Sequence, residues 1–220
     1  MRKLAPGLFA VAALVASVLV SPAAQAAGPS AAQLLAKLTS CQQISNGKYA
    51  TDSGGAKTVP VCGKTGAVWY KADMDIDCDG QPTPRCNKNT DPWFQPQTAF
   101  QDSKGKHLIA DQLPYTVVPS ASGTFDYRKH GIQGGGVVAV IFNNRVEYTV
   151  VGDTGPADII GESSYAAAVN LGINPNPKTG GTAGPVHYLY FKGSKVAPIE
   201  DHGKAVSSGE ALAQKFLNEN

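Results

Sequence analysis

Short runs rich in Val, Ile, Tyr and Phe, separated by Gly, Asn and Pro, constrain the fold of this chain more than any other feature. Such runs are typical of β-strands, and Gly, Asn and Pro are typical of the turns between them. The pattern predicts strands in AVWYKADMDI, LIADQLPYTVVP, GGVVAVIF, RVEYTVVGD and VHYLYF, with a hairpin turn at Asn143-Asn144. Helical spacing predicts three short helices, over residues 30–39, 163–171 and 208–217. Many short strands with few helices favour a small barrel or packed sheets in one mainly β domain.

The first 27 residues have the three parts of a secretory signal peptide. The start MRK is positive, an apolar run extends from Leu8 to Val20, and PAAQA precedes an expected cleavage after Ala26 or Ala27. The apolar run is short for a bilayer span, and Ser and Pro follow it at once. We therefore expect residues 28–220 to be the exported, extracellular protein, with no membrane segment after signal removal.

The charge of the exported part is balanced. Of nineteen Lys and Arg residues, Arg2 and Lys3 lie in the signal segment, which leaves seventeen basic against seventeen acidic residues. A near-neutral chain gives no indication of nucleic acid or an anionic membrane as a partner. We expect a monomer whose partner is its substrate.

Four cysteines lie in the N-terminal third of the chain. In an exported protein they are expected to form disulfides. The sequence permits three pairings, of which Cys41–Cys62 with Cys78–Cys86 is the most local. A zinc site is disfavoured because no CxxC pair is present.

The acidic stretch DMDIDCDG, residues 73–80, has an aspartate at every second position. Part of it imitates a calcium loop, but the twelfth position of that loop needs a Glu and here holds Cys86. Strand-like residues before the stretch and two prolines after it also disagree with a helix–loop–helix calcium site. Read as a strand, the stretch puts four carboxylates on one face, about 7 Å apart. This face is either simply solvated or a negative subsite for a cationic ligand, formed by Asp73, Asp75, Asp77 and Asp79.

The segment VGDTGPADIIGE, residues 151–162, follows an apolar strand and holds two acids on either side of a Gly-Pro turn. Two carboxyl groups near a strand end are what a glycosidase needs, one to protonate the leaving oxygen and one to activate water or attack. Alternatively, Asp153 caps the DTG turn and Glu162 begins the next helix. If Glu162 precedes a helix, the helix dipole favours its ionised form, whereas burial raises the pKa of Asp153. The roles of acid and base therefore stay open.

The chain resembles the glycoside hydrolase family 75 chitosanases, endo-acting enzymes of fungi and actinobacteria. The resemblance extends from about Val61 to Phe191 and rests on WYKADMDIDCDG, QTAF near Gln97, LPYTVVP, GGGVVAVIFNN, YTVVGDTGPADIIGESS, LGINPNP with TGG, and VHYLYF. It implies inverting hydrolysis of chitosan without a metal or cofactor, with the GDTG aspartate and the GE glutamate, here Asp153 and Glu162, as essential acids. Some fungal members have extra residues between these two acids, whereas DTGPADIIGE is compact.

The DTG-x-x-x-I-x-G pattern also resembles double-psi β-barrel proteins, including lytic transglycosylases and expansin-like domains. The resemblance implies a six-stranded double-psi-type barrel with additional hairpins. It also supplies two alternative functions, a non-catalytic expansin-like polysaccharide-binding module and a peptidoglycan lytic enzyme. Glu162 argues against the first, because a binding module needs no second acid.

Chitosan carries protonated amines in mildly acidic water, so a cleft that selects it is expected to present carboxylates. The acidic stretch has this character. Aromatic side chains at Trp69, Tyr70 and Trp93 are candidates for stacking on sugar faces, with Tyr70 assigned to substrate binding. The four histidines are scattered and no GxSxG motif is present, which disfavours a zinc hydrolase and a serine nucleophile.

Overall fold

A computed structural model describes residues 28–220, and the predicted signal peptide lies outside these described residues. The helices are α1 (Ala31–Ala36), α2 (Tyr165–Leu171) and α3 (His202–Glu219), with a 3-10 turn at Tyr127–His130. The strands are β1 (Gln42–Gln43), β2 (Cys62–Lys64), β3 (Ala67–Asp77), β4 (Tyr115–Pro119), β5 (Val137–Phe142), β6 (Arg145–Gly155), β7 (Glu162–Ser164) and β8 (Thr182–Phe191).

Six of the strands close into a barrel. Neighbouring strands follow the order β3, β7, β4, β6, β5 and β8, and β8 pairs back with β3. The β3–β7 and β4–β6 pairs are parallel, and β1 and β2 extend the sheet beside β3. The prediction of a mainly β chain with a six-stranded barrel and additional strands is therefore confirmed.

Both faces of the barrel sheet are apolar. Alternate residues of β3, β5 and β8 join two separate hydrophobic clusters. One cluster includes Leu34 of α1 and Phe216 of α3, so these helices cover one face of the sheet. The other contains three tyrosines in contact, Tyr70, Tyr188 and Tyr190. Burial on both faces explains why the strands read as nearly continuous apolar runs.

The hairpin at Asn143-Asn144 is confirmed, since both asparagines have positive φ, 43° and 64°. Two other boundaries differ from the sequence prediction. In LIADQLPYTVVP only Tyr115–Pro119 is a strand, because the backbone turns at Ile109 to Leu113 before Pro114. The second helix begins at Tyr165, because Ser164 ends β7 and caps the helix by accepting a hydrogen bond from the Ala167 N–H.

The last helix begins six residues before the predicted Ser208. Asp201 caps it by accepting a hydrogen bond from the Lys204 N–H. The first half of α3 contains Gly203 and Gly209, which lower helix propensity, so the sequence pattern did not predict a helix before Ser208. Tertiary packing accounts for Gly209, because a Cβ there would lie 2.3 Å from Cδ1 of Tyr148.

The cysteines form two disulfides, Cys41–Cys62 and Cys78–Cys86, which is the local pairing favoured from the sequence. The second one fastens the chain just beyond the end of β3. Within residues 28–220, none of the helices has the length and apolar character needed to cross a membrane.

Candidate active site

Strand pairing brings the sequence-predicted acids to one region of the barrel. Parallel pairing of β3 with β7 sets Asp75 beside Glu162, and parallel pairing of β4 with β6 sets Val117 beside Asp153. An open cleft at this point is lined by Thr51, Asp75, Val117, Pro119, Gly155, Pro156, Ile159, Ile160, Gly161 and Glu162. The two segments DMDIDCDG and GDTGPADIIGE, separated by more than seventy positions, thus contribute to one site.

Glu162 is the first residue of β7, not the cap of a helix. Burial and the carboxylates of Asp75, Asp79 and Asp153 raise the pKa of Glu162 to about 8. The expectation that a helix dipole keeps Glu162 ionised is therefore wrong, since α2 starts three residues later and has Ser164 as its cap. At neutral pH this side chain is mostly protonated, as a proton donor should be.

Asp153, near the end of β6, is held differently. It is 7 % exposed, and its Oδ1 accepts hydrogen bonds from the backbone N–H groups of Ala99 and Thr154, each at 2.7 Å. Burial raises the pKa of Asp153, while the two N–H donors and His107 oppose that rise. Two backbone donors stabilise the ionised form, which gives Asp153 more carboxylate character than Glu162 has.

Asp77 and Asp79 form a compact cluster with Asp153, in which carboxylate oxygens of all three lie within 4.8 Å of one another. The Oδ1 of Asp77 accepts the Asp79 N–H at 2.6 Å, and the Oδ1 of Asp79 accepts the Gln95 N–H at 2.6 Å. Burial raises the pKa of Asp79 to about 7, and burial with nearby Glu162 raises the pKa of Asp77 well above its usual range. Carboxylates this close share protons rather than all ionise.

The acidic stretch is consequently not one uniform solvated face. Asp75 is exposed and Asp73 and Asp79 are partly buried, but Asp77 is only 4 % exposed. The prediction that Asp77 presents its carboxylate to a ligand is wrong, because β7 pairs with β3 up to this residue and closes over it. Asp73 and Asp75 lie instead in a second acidic group with Asp52.

Tyr70 does not have the exposure that its assignment to substrate binding requires. It is 2 % exposed, its ring stacks on Tyr188 at 4.7 Å, and its hydroxyl shares a 2.8 Å hydrogen bond with the hydroxyl of Tyr190. This assignment is corrected to the hydrophobic core, because alternation along β3 turns Tyr70 into the tyrosine cluster. Trp69 is also buried, whereas Trp93 is 83 % exposed.

The residues whose spacing resembles a calcium loop do not form a calcium site in the structure. Asp75 belongs to one acidic group while Asp77 and Asp79 belong to the other, so the three do not converge as ligands of one ion. Cys86, at the twelfth loop position, is buried in the disulfide with Cys78. Carboxylate oxygens are nevertheless the ligand type that hard cations take, and each acidic group offers three of them within the described residues.

Sequence reasoning missed several groups that the fold brings to the cluster. The backbone N–H groups of Gln95 and Ala99, the His107 ring and the carboxylate of Asp91 reach it from distant loops. The carboxylate of Asp52 reaches the other acidic group, beside Asp73 and Asp75. The only local signal was the segment QTAF, which contains Ala99. The sequence alone does not show that the Ala99 N–H donates to Asp153 of β6.

Gly161 explains how β7 approaches the acidic stretch so closely. It has φ of +115°, its carbonyl accepts the Asp75 N–H at 2.8 Å, and a Cβ there would lie 2.1 Å from Oδ1 of Asp73. Gly161→Ala is expected to lower the free energy of unfolding by about 3 kcal/mol, from backbone strain plus the clash. Urea denaturation measures this change.

Gly47→Ala is the matched control, because Gly47 has φ of +99° but nothing within 4 Å of the added Cβ. Strain alone should cost about 1 kcal/mol there. Equal losses in the two variants would contradict a close β3–β7 approach at Gly161.

Carboxyl groups with raised pKa values, in the lining of the cleft and in the cluster beside it, are suited to acid–base chemistry. A family model described as fungal chitosanase of glycosyl hydrolase group 75 matches residues 74–217. An endo-chitosanase of Aspergillus oryzae is 32% identical over 156 residues, which cover 66% of this chain and 64% of that protein. An endo-chitosanase of Aspergillus fumigatus is 33% identical over 129 residues, 53% of this chain and 54% of that protein.

Endo-chitosanase C of Aspergillus oryzae is 31% identical over 133 residues, which cover 59% of this chain and 32% of that protein. The chain thus spans 64% of the length of the first of these relatives and less of the other two. The matched region includes both candidate acids and the acidic stretch from Met74 onward. The chain belongs to glycosyl hydrolase group 75.

Proposed function

We propose that this chain hydrolyses the β-1,4 bonds of chitosan from within the polymer, with Asp153 and Glu162 as the catalytic pair. The observation that carries the proposal is the difference between two interacting carboxyl groups, Glu162 in the lining of the cleft and Asp153 in the adjoining carboxyl cluster. Glu162 has a pKa of about 8, whereas Asp153 accepts two backbone hydrogen bonds that favour its ionised form. A glycosidase needs this division, one carboxylic acid and one carboxylate.

In the reaction, Glu162 donates its proton to the leaving glycosidic oxygen, and Asp153 accepts a proton from the attacking water. Direct attack by water inverts the configuration at the anomeric carbon. Proton release by Glu162 leaves an additional negative charge beside Asp75, Asp79 and Asp153, which favours its reprotonation for the next cycle. The proposed steps use only these protein groups and water.

Substrate selection follows from the charge of the cleft. Asp75 is exposed at the cleft and is available for an ammonium group of glucosamine. Asp73 lies beside it with its pKa raised to about 7 by burial and by Asp75, and a cation bound there would favour its ionised form. Each charge-assisted hydrogen bond of this kind contributes about 1.5–3 kcal/mol. The proposal therefore keeps Asp73 and Asp75 as substrate ligands. Asp77 and Asp79 instead retain protons and accept hydrogen bonds from the backbone N–H groups of neighbouring loops.

The proposal includes export of residues 28–220 as an extracellular, monomeric enzyme. Two disulfides in the described residues agree with an oxidising compartment. The N-terminal sequence, with its positive start and short apolar run, has the character of a cleaved signal.

Products from glucosamine hexamer in 18O-labelled water test the reaction. Mass analysis should find one 18O at each new reducing end and products cut internally, and NMR at early times should find the α-anomer first. A first-formed β-anomer would contradict direct attack by water. Anhydro products would instead identify a lytic enzyme, and binding without any cleavage would identify an expansin-like module.

A further inference from the structure

Trp93 is exposed to solvent on a turn that is held by hydrogen bonds. It is 83 % exposed, and Val169, at 49 %, is the other large hydrophobic residue that residues 28–220 leave exposed. The buried carboxylate of Asp91 accepts the Trp93 N–H at 2.8 Å. The Gln95 side chain donates to the Trp93 carbonyl at 3.2 Å. The hydrogen bonds of the turn therefore hold the backbone that displays the indole.

The same turn is fastened to the carboxyl cluster. The Gln95 N–H donates to Oδ1 of Asp79, and Asp79 lies within 4.8 Å of Asp153. The Gln95 carbonyl accepts the Gly80 N–H at 2.9 Å, which fixes the turn to the end of the acidic stretch. The Cα atoms of Trp93 and Gln95 are at most about 7 Å apart, and the Gln95 N–H contacts Asp79 directly. The Trp93 Cα therefore lies within roughly 11 Å of the Asp79 carboxylate.

This arrangement suits the two chemical faces of a glucosamine chain. A pyranose ring has a face of C–H groups that packs on an indole, and its ammonium group is attracted both to carboxylates and to the π-face of Trp. An exposed aromatic side chain near a carboxyl cluster offers both contacts to successive sugars. An isolated exposed hydrophobic residue needs no explanation, but the turn that carries Trp93 is bonded to a carboxylate of the catalytic region.

We propose that Trp93 is a sugar-stacking platform of the acidic cleft, which binds a glucosamine residue away from the scissile bond and favours long chains. This inference rests on the proposed function for the identity of the sugar. It makes Asp79 a positioning residue, because its carboxylate holds the turn that carries the platform.

Kinetics on substrates of two lengths test the platform. Trp93→Ala is expected to raise KM for polymeric chitosan about tenfold with little change in kcat. On the shortest glucosamine oligomer that the wild type cleaves, kcat/KM should change less than about twofold, because that oligomer does not reach the platform. Trp93→Phe should recover part of the polymer KM, and Val169→Ala, the matched exposed control, should leave both substrates unaffected. An unchanged polymer KM in Trp93→Ala, or an equal loss on both substrates, would overturn the proposal.

Fluorescence separates this proposal from the catalytic one, because the chain has only two tryptophans. Glucosamine hexamer added to the Glu162→Gln variant should change its tryptophan emission. In the double variant Glu162→Gln, Trp93→Phe, which retains only the buried Trp69, the hexamer should cause no change. A response that persists without Trp93, or no response at all, would overturn the platform even if the wild type cleaves chitosan. If the response depends on Trp93 but the wild type cleaves nothing, the platform stands and the catalytic proposal fails.

Discussion

Replacing Asp153 by Asn or Glu162 by Gln is expected to lower kcat on chitosan by about a thousandfold or more, since each change removes one general acid–base partner. In Glu162→Gln, the new amide keeps the shape of the carboxylic acid but has no proton to give the leaving oxygen. In Asp153→Asn, the new amide Oδ1 can still accept the two backbone N–H groups, but the amide cannot take a proton from the attacking water. Release of reducing ends from soluble chitosan measures the loss.

Asp158→Asn is the matched control for both variants. Asp158 lies between the two acids in the sequence, and it is exposed, so the same chemical change is made outside the cluster. We expect it to keep wild-type activity. Circular dichroism and thermal unfolding establish that all three variants are folded. Retention of more than about a tenth of wild-type kcat by a folded Asp153→Asn or Glu162→Gln would remove that residue from the proposed pair.

The local features of this chain were predictable because they depend on residues close in sequence. Asn143-Asn144 tolerates positive φ whatever packs around it, so the hairpin could be identified directly. Short runs rich in Val, Ile, Tyr and Phe likewise indicated the strands β5 and β8. The start of α3 was missed because Gly203 lies in its first turn and lowers the local helix propensity.

The candidate site was predictable in its residues but not in its electrostatics. The resemblance identified Asp153 and Glu162, yet the protonation of Glu162 depends on Asp75, Asp79 and Asp153, which reach it only through strand pairing. The sequence around Glu162 suggested a helix start and therefore an ionised carboxylate. Burial and the charges of residues distant in sequence determine the protonation of Glu162 instead. The pairing of β7 with β3 likewise buries Asp77, which the sequence had placed on the substrate face.

The buried carboxyls have a consequence for stability that activity measurements do not report. The free energy of unfolding is expected to fall as pH rises from about 4.5 to about 8. Burial raises the pKa of Glu162 to about 8 and those of Asp73 and Asp79 to about 7, all above the values in an unfolded chain. Below about pH 4 both states are protonated and the stability that these groups contribute is fully present. Between the unfolded and folded pKa values the unfolded chain has lost protons that the folded chain retains, so stability declines.

Other titrating groups change the free energy of unfolding outside this pH range, or oppose its decline only weakly. Surface carboxyls with lowered pKa titrate in the acid range, namely Asp102, Asp126, Glu200 and Asp201. Burial lowers the pKa of His130 and His187, which adds stability as pH rises through about 6.5. Several retained carboxyl protons outweigh these two histidines, because each retained proton changes stability by up to about 1.4 kcal/mol per pH unit.

Urea denaturation at pH 5, 6, 7 and 8 measures this dependence, and a net loss on the order of 3 kcal/mol across the range is expected. Glu162→Gln removes one titrating carboxyl from the cluster, so its stability should depend less on pH and should exceed that of the wild type at pH 8. Asp158→Asn, with its exposed side chain, should keep the wild-type dependence. Stability that stays constant or rises between pH 5 and 8 would mean that the cluster does not hold protons in the folded state. A Glu162→Gln variant that is inactive but more stable at pH 8 would instead show that the folded chain gives up stability to keep a protonated acid at its cleft.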